Sequence, residues 1–218
     1  AIVESDWCLG ELKKTLEEEG ILENTLIIFS SDNGPVLNDG YYDDSDVKNG
    51  THTPWGPYRG GKYSLFEAGT RVPFFTYWKG KIKPGVSDTM VSQLDLLSSL
   101  AQLVGSEVRT EDSLPLLELL MGQSNYGRKE MVIEATSRTA FKRGDWVMIP
   151  PYEGFAVNDK VKIELGNDPE FQLYNLSNDV GQQNNLALQN PKKLQEMLLA
   201  FEAIRGKDYR KTEKLELK

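Results

Sequence analysis

The chain has little of the two residue types that most often carry out chemistry in enzymes. Its 218 residues include one cysteine and one histidine, so an internal disulfide cannot form. With a single histidine and no nucleophile-elbow motif, the sequence selects no serine for a Ser-His-Asp arrangement. The lone thiol, Cys8, falls in a predicted helix, where we expect a small, buried, apolar side chain.

Long apolar runs and an excess of positive charge are also missing. No stretch of about 18 apolar residues occurs, so we predict no membrane span. The formal net charge is -8 at pH 7, and we therefore expect no binding to nucleic acid, which needs clustered positive charge. An anionic small substrate is compatible with this balance, because a few cations focused in a cleft outweigh the global sign.

The first half of the chain has the pattern of an α/β fold. Residues 2–19 repeat apolar side chains every three to four positions, which predicts an amphipathic helix. Residues 25–30, TLIIFS, form a continuous apolar run that predicts a strand buried on both faces. A further strand is predicted over 72–78 and a helix over 92–104. A helix followed by an all-apolar strand is typical of an α/β sheet.

The character of the sequence changes in the second half. Short strands and one last helix are predicted there, over 131–137, 140–149, 171–176 and 190–206. In that helix Asn190 can cap, Pro191 takes the first position and Gly206 ends it. We therefore predict two domains, an α/β part over 1–125 and a small α+β domain over 126–218, with an antiparallel sheet and the C-terminal helix.

The segment between about 34 and 71 has little periodicity, and a loop of this length in a compact domain is usually functional. It begins just after Asp32 and Asn33, which follow the predicted strand. Ligand sites of open α/β sheets lie at the carboxyl ends of strands, and both side chains offer oxygen to calcium or magnesium. Taken alone, Asp-Asn-Gly is more typical of a tight turn than of a metal site.

Two further candidates lie in the same segment. In Arg59-Gly60-Gly61-Lys62 the glycines let the backbone pass close to a ligand and the cations suit an oxyanion, although a solvated glycine turn has the same pattern. His52 can donate to a substrate or leaving group, or be a loop histidine without a role. Among the aromatic residues of the loop, we favour sugar stacking for Trp55 and packing for the others.

Together these motifs resemble the sulfatase family, of the arylsulfatase type within the alkaline phosphatase superfamily. The resemblance runs through LENTLIIFSSDNGP, GPYRGGKYSLFEAGTRVPFFTYWKGKIKPG and VSQLDLLSSLAQLVG, and continues in AFKRGDWVMI and FQLYNLSNDVGQQNNLA. It implies an α/β fold, in which part of a sulfatase-like mixed sheet flanked by helices precedes a small α+β subdomain. It covers nearly the whole chain.

The resemblance also implies roles for individual residues. Asp32 and Asn33 match two calcium ligands of the family, with magnesium as the other candidate metal. Lys62 matches the lysine that contacts the sulfate and supports the departing ester oxygen, which makes it the candidate catalytic residue. His52 stands where many members contact the substrate. The expected substrate is a sulfated small molecule or glycan, hydrolysed by a formylglycine nucleophile with the metal as Lewis acid.

One departure from the family pattern limits this expectation. The cysteine- or serine-containing formylglycine motif is not present, and Cys8, in DWCLGEL, does not match it. We therefore expect the carboxyl-terminal portion of a sulfatase, which on its own is inactive and binds metal weakly. Without the amino-terminal portion, strands of the α/β sheet would lose their neighbours and an edge would be exposed. Such an edge favours a homodimer or a rearranged sheet. The resemblance suggests export to the periplasm, the exterior or the lysosome.

Two alternative functions share most of these residues. A phosphodiesterase or phosphonate hydrolase on the same scaffold would bind a similar tetrahedral anion, and the nucleophile motif would distinguish it. A non-catalytic carbohydrate-binding module would keep the fold without the reaction. The residues of the RGGK segment and the E-x-G-x-R motif after it favour the sulfatase.

Overall fold

The protein is described here by a computed structural model covering residues 2–41, 43–108 and 110–208. Contacts within the chain group it into two units. The first contains the residues up to Ser30 together with Pro73–Arg128, and the second contains Ser31–Val72 together with the residues from Lys129 onward. The domain boundary expected near residue 125 stays a prediction, and the long loop groups with the later part of the chain.

Helices and short strands are mixed up to residue 120, and consecutive short strands then precede the last helix. The helices are α1 (Ile2–Glu18), α2 (Ser45–Lys48), α3 (Asp95–Leu103), α4 (Leu117–Leu120) and α5 (Pro191–Arg205). The strands are β1 (Ile27–Ser30), β2 (Phe74–Tyr77), β3 (Glu130–Ala135), β4 (Arg138–Arg143), β5 (Trp146–Ile149), β6 (Val157–Asn158), β7 (Ile163–Glu164) and β8 (Gln172–Asn175). Over the described ranges, no helix has the length and apolar character needed to cross a membrane.

The α/β fold class is confirmed, with antiparallel sheets and a C-terminal helix. The predicted helices and strands are found with ends shifted by up to three residues, and the segment 140–149 forms two strands, β4 and β5, on either side of the turn predicted at GDW. The short helices α2 and α4 and the hairpin of β6 and β7 were not predicted. Asn190 precedes α5 but does not cap it with its side chain. Its amide instead donates to the carbonyl oxygen of Leu186 at 3.4 Å.

In the first unit, β1 pairs antiparallel with β2, with Ile27 opposite Tyr77. Only Ile27 of β1 is buried, so the prediction of a strand buried on both faces is wrong. Within the described residues β1 has a single neighbouring strand, which explains its half-buried side chains. The helix α1 has no buried residue, and Cys8 is exposed, so the prediction of a buried thiol is wrong as well.

A buried carboxylate organises the polar interior of the first unit. Asp95 has no exposed surface and forms two hydrogen bonds, of 2.8 and 2.7 Å, with the guanidinium of Arg128. It also accepts the backbone N–H groups of Ser92 and Leu114, each at 2.9 Å. The bond to Ser92 closes the turn that precedes α3, and the bond to Leu114 attaches the segment that follows the helix.

In the second unit, four antiparallel strands form a sheet in the order β3-β4-β5-β8. Successive side chains point to opposite faces, so neighbours such as Val147 and Met148 enter two different apolar clusters. One cluster contains Met197 and Phe201 of α5. The other contains Leu65 and Phe66, which belong to the long loop. The sheet is therefore packed by α5 on one face and by the loop on the other.

The Asp95 network gives a first test. Asp95→Ala leaves the guanidinium of Arg128 and two N–H groups without their acceptor in a buried place. Loss of one partner from such an ion pair costs about 3–5 kcal/mol, and we expect the free energy of unfolding to fall by that amount. Urea denaturation of the protein measures it.

The matched control is Asp88→Ala, at an exposed position of the same unit. A surface substitution of this kind changes the free energy of unfolding by about 0.5 kcal/mol or less. Equal losses for the two variants would contradict the role given to Asp95.

Candidate functional site

The turn after β1 presents two oxygen atoms that are free to bind a ligand. Asp32 is exposed and Asn33 is half-buried. Asp32 Oδ1 accepts the N–H of Asn33 at 3.0 Å, and Asn33 Nδ2 donates to the carbonyl of Gly34 at 2.9 Å. Across residues 2–41, 43–108 and 110–208, nothing donates to Asp32 Oδ2 or Asn33 Oδ1. The motif is thus a tight turn in which two side-chain oxygens accept no hydrogen bond from the described residues.

The backbone after this turn lies against the end of the long loop. The N–H of Gly34 donates to the carbonyl oxygen of Gly69 at 2.8 Å. A side chain at residue 34 cannot fit, because its Cβ would lie 1.7 Å from the carbonyl oxygen of Ala68. Glycine is therefore required by this close approach.

A second backbone contact joins the same turn to the lysine. The N–H of Lys62 donates to the carbonyl oxygen of Pro35 at 3.0 Å. A Cβ at Gly61 would lie 2.6 Å from that oxygen. The structure therefore joins the backbone that carries Asp32 and Asn33 to the loop that carries Lys62.

The ammonium of Lys62 is held by a carboxylate of the loop. Its Nζ lies 2.5 Å from Asp39 Oδ2, and the hydroxyl of Tyr63 donates to Asp39 Oδ1 at 2.7 Å. The hydrogen bond from Lys62, followed by that from Tyr63, lowers the pKa of Asp39. The same bond with Asp39 raises the pKa of Lys62. Lys62 is therefore a protonated, oriented cation at neutral pH.

A buried carboxylate anchors the loop after Lys62. The side chain of Glu67 is 3% exposed and forms ion pairs with Lys142 of β4 and, at 3.1 Å, with Arg71. The backbone N–H of Glu67 donates to Gln182 Oε1 at 2.7 Å. These contacts fix the 3-10 turn that ends in Gly69, the partner of Gly34.

The start of the RGGK segment is anchored to the hairpin of β6 and β7. Arg59 forms two hydrogen bonds with Glu164, of 2.8 and 2.6 Å, and a third with the carbonyl of Gln182 at 2.7 Å. Its guanidinium also lies 4.0 Å from the ring centroid of Phe66. The bond with Glu164 raises the pKa of Arg59 and lowers that of Glu164. Arg59 therefore has a structural role in holding the loop to the hairpin, while the ammonium of Lys62 is paired with Asp39.

His52 is not joined to these groups. It is exposed, and in the part of the chain described here its imidazole forms no hydrogen bond and no ion pair. The acidic residues of the same loop, Asp43, Asp44 and Asp46, are exposed. Among the described residues, no group of three or more His, Cys, Asp or Glu side chains is arranged to hold a metal ion.

The family resemblance marks Glu67, Gly69 and Arg71 as structural residues that support the loop, but sequence reasoning missed the side chains with which the loop pairs. Asp39, Lys142, Glu164 and Gln182 are distant in sequence from their partners, and no local pattern marks such pairs. A signal did exist for the hairpin that carries Glu164. Residues 157–165, VNDKVKIEL, alternate apolar and polar side chains around Asn-Asp, which is typical of two short strands and a turn.

Known proteins resemble the chain throughout its length. The Sulfatase family model matches residues 1–106. An N-acetylgalactosamine-6-O-sulfatase of Bacteroides thetaiotaomicron is 40% identical over 208 residues, which is 94% of this chain and 41% of that protein. Human arylsulfatase A is 34% identical over 133 residues, covering 60% of this chain and 24% of that protein.

Solved structures have the same fold. One, from a description of the metabolism of multiple glycosaminoglycans by Bacteroides thetaiotaomicron, aligns with a TM-score of 0.89 and 39% identity over 94% of this chain and 43% of that one. The PsFucS1 sulfatase from Pseudoalteromonas sp. aligns with a TM-score of 0.69 and 25% identity over 98% of this chain and 43% of that one.

The chain spans less than half the length of these relatives. Within that span the family motifs, the fold and the identity with a sulfatase over 94% of the chain agree. The chain belongs to the sulfatase family.

Proposed function

We propose that the complete protein containing this chain hydrolyses sulfate esters and that its substrate is a sulfated glycan. The observation that carries the proposal is the pair of backbone hydrogen bonds, Gly34 to Gly69 and Lys62 to Pro35, joining the Asp32-Asn33 turn to the lysine loop. This arrangement offers oxygen ligands and a fixed cation from adjoining backbone, which suits the singly charged tetrahedral group of a sulfate ester bound beside a metal.

The relatives support the glycan as the substrate class. The relative with 40% identity acts, by its name, on N-acetylgalactosamine 6-sulfate, and the structure with 39% identity belongs to glycosaminoglycan metabolism. We therefore propose 6-sulfated N-acetylgalactosamine, alone or next to a hexuronate, as the first substrate to assay.

Lys62 is proposed to contact the sulfate and to neutralise charge on the departing ester oxygen. An ammonium has three N–H donors, and Asp39 occupies one of them. The others are available to an anion, and the bond to Asp39 aims them before the substrate arrives. Preorganised charge of this kind stabilises the transition state without reorganisation during the reaction. His52 is proposed as a substrate contact, since its exposed imidazole contacts no partner among the described residues.

Asp32 and Asn33 fit part of a divalent cation site. Carboxylate and amide oxygens are hard ligands suited to calcium, with magnesium as the second candidate. Two ligands are fewer than the six to eight that calcium takes, so further ligands are required. When bound, the metal supplies Lewis-acid chemistry toward the sulfate oxygens. No residue of this chain is proposed to become the formylglycine nucleophile of the family, and the chain alone is proposed to be inactive.

Lys62→Ala tests the role of the lysine. We expect kcat for sulfate ester hydrolysis by the complete protein to fall about 100- to 1000-fold, as for the loss of one preorganised donor. Steady-state kinetics with the 6-sulfated sugar measure this. The exposed Lys83 provides the control variant Lys83→Ala, for which we expect wild-type kinetics.

Unchanged turnover of Lys62→Ala would refute its assignment. The same assay, run with phosphate diesters and phosphonate esters, separates the sulfatase from the related hydrolases. A preference of the wild type for those esters would refute the sulfate specificity.

The Lys62–Asp39 pair gives a prediction on pH. Because the pKa of Asp39 is lowered, the stability that the pair contributes is present above the ordinary aspartate range and is lost as pH falls through the lowered value. Because the pKa of Lys62 is raised, the lysine loses its proton, and the pair loses its contribution to stability, only at alkaline pH. Between these limits the pair stays ionised, and we expect the pKa of Asp39 to rise in Lys62→Ala.

Titration of ¹³C-carboxyl-labelled aspartate by NMR follows this change in the complete protein. Lys83→Ala serves again as the reference and leaves the Asp39 titration in place. An Asp39 resonance with the same midpoint in wild type and Lys62→Ala would contradict the pairing.

A further inference from the structure

The second unit contains a cavity that the proposed sulfate site does not use. Its volume is about 470 Å³, which lies within the range of small-molecule pockets. It opens between the long loop and the hairpin of β6 and β7. Loop residues Asn38, Trp55, Tyr58 and Gly60 lie on one side, and Lys160 and Lys162 of the hairpin turn lie on the other.

One wall of the cavity is aromatic. Trp55 and Tyr58 are both half-buried there. The guanidinium of Arg71 lies 4.7 Å from the ring centroid of Tyr58, which helps to hold that ring in place. The indole N–H of Trp55 has no hydrogen-bond acceptor among the described residues. A half-buried indole whose N–H has no acceptor in that part of the chain offers an apolar face and a polar edge to the same ligand.

The opposite wall supplies positive charge. Three cationic and two anionic side chains line the cavity, although the chain as a whole is acidic. Arg59 is neutralised by Glu164. Lys162 lies 3.9 Å from Asp159, and both are largely exposed. Lys160 is exposed and forms no ion pair within the described ranges. The charge available to a ligand is therefore centred on Lys160.

Two residues that line the cavity are close in sequence to the lysine site. Asn38, on the cavity wall, precedes Asp39, whose carboxylate holds Lys62. Gly60, also on the wall, lies two residues before Lys62. The backbone that lines the cavity is therefore continuous with the backbone that carries Lys62 and Asp39.

We propose that this cavity binds the sugar next to the sulfated one in an acidic glycan, with its ring on Trp55 and its carboxylate or sulfate at Lys160. Sugars present apolar C–H faces and polar edges, which match the indole, and an anionic substituent matches an unpaired lysine. This assignment rests on the proposed function, because the neighbouring sugar is placed relative to a sulfate bound at Lys62.

Binding of a tetrasaccharide of alternating hexuronate and 6-sulfated N-acetylgalactosamine tests the assignment. Isothermal titration calorimetry on the complete protein gives Kd. Truncation of an aromatic anchor usually costs more than removal of an exposed charge. We expect Trp55→Ala to weaken binding about tenfold and Lys160→Gln about threefold, with the lysine effect lost at high salt.

Matched controls are Trp7→Ala and Lys192→Gln, which remove an exposed tryptophan and an exposed lysine outside the cavity. Both are expected to bind as the wild type does. Trp55→Phe keeps an aromatic ring and is expected to restore most of the affinity, which guards against a folding defect in Trp55→Ala. A carboxyl-reduced tetrasaccharide shows whether Lys160 reads the hexuronate or a second sulfate.

The two proposals fail in different ways. Sulfatase activity together with control-like binding by Trp55→Ala and Lys160→Gln would overturn the cavity assignment and leave the proposed function intact. Tetrasaccharide binding that depends on Trp55 and Lys160, without hydrolysis of any sulfate ester, would support the cavity and overturn the proposed function.

Discussion

The buried carboxylate of Glu67 is the contact on which the candidate site depends. It is 3% exposed and is paired with Lys142 and Arg71, while its own N–H is bound by Gln182. Removing one partner of a buried ion pair costs about 3–5 kcal/mol, because the other charge stays behind without compensation. Such a group therefore fixes the loop to the four-stranded sheet in one arrangement rather than adding a general increment of stability.

Backbone hydrogen bonds, rather than side-chain contacts, connect the turn of Glu67 to the candidate site. The 3-10 turn ends at Gly69, whose carbonyl binds Gly34, and Pro35 binds the N–H of Lys62. Because no Cβ fits at Gly34 or Gly61, the two segments approach as closely as backbones can. A cation and two oxygen ligands are thereby held with little freedom, which is what electrostatic stabilisation of a transition state requires.

Local patterns in the sequence predicted most elements, because periodicity and turn residues act over a few positions. They failed for β1 and Cys8, since burial depends on which other segments cover a residue. The motif residues Asp32 and Lys62 could be chosen from their chemistry and from the family resemblance. Asp39, which pairs with Lys62, and Glu164, which pairs with Arg59, could not be chosen in this way, because an ion pair between distant residues leaves no trace in either local sequence.

Hydrogen exchange at the amides of Gly34 and Lys62 measures the central claim, that Glu67 fixes the site through the loop backbone. Glu67→Gln keeps the size of the side chain and removes its charge. We predict that both amides lose protection in this variant, while the amide of Met148, within the sheet, keeps it. Unchanged protection at Gly34 and Lys62 would contradict the account, since the loop would then hold its place without the buried carboxylate.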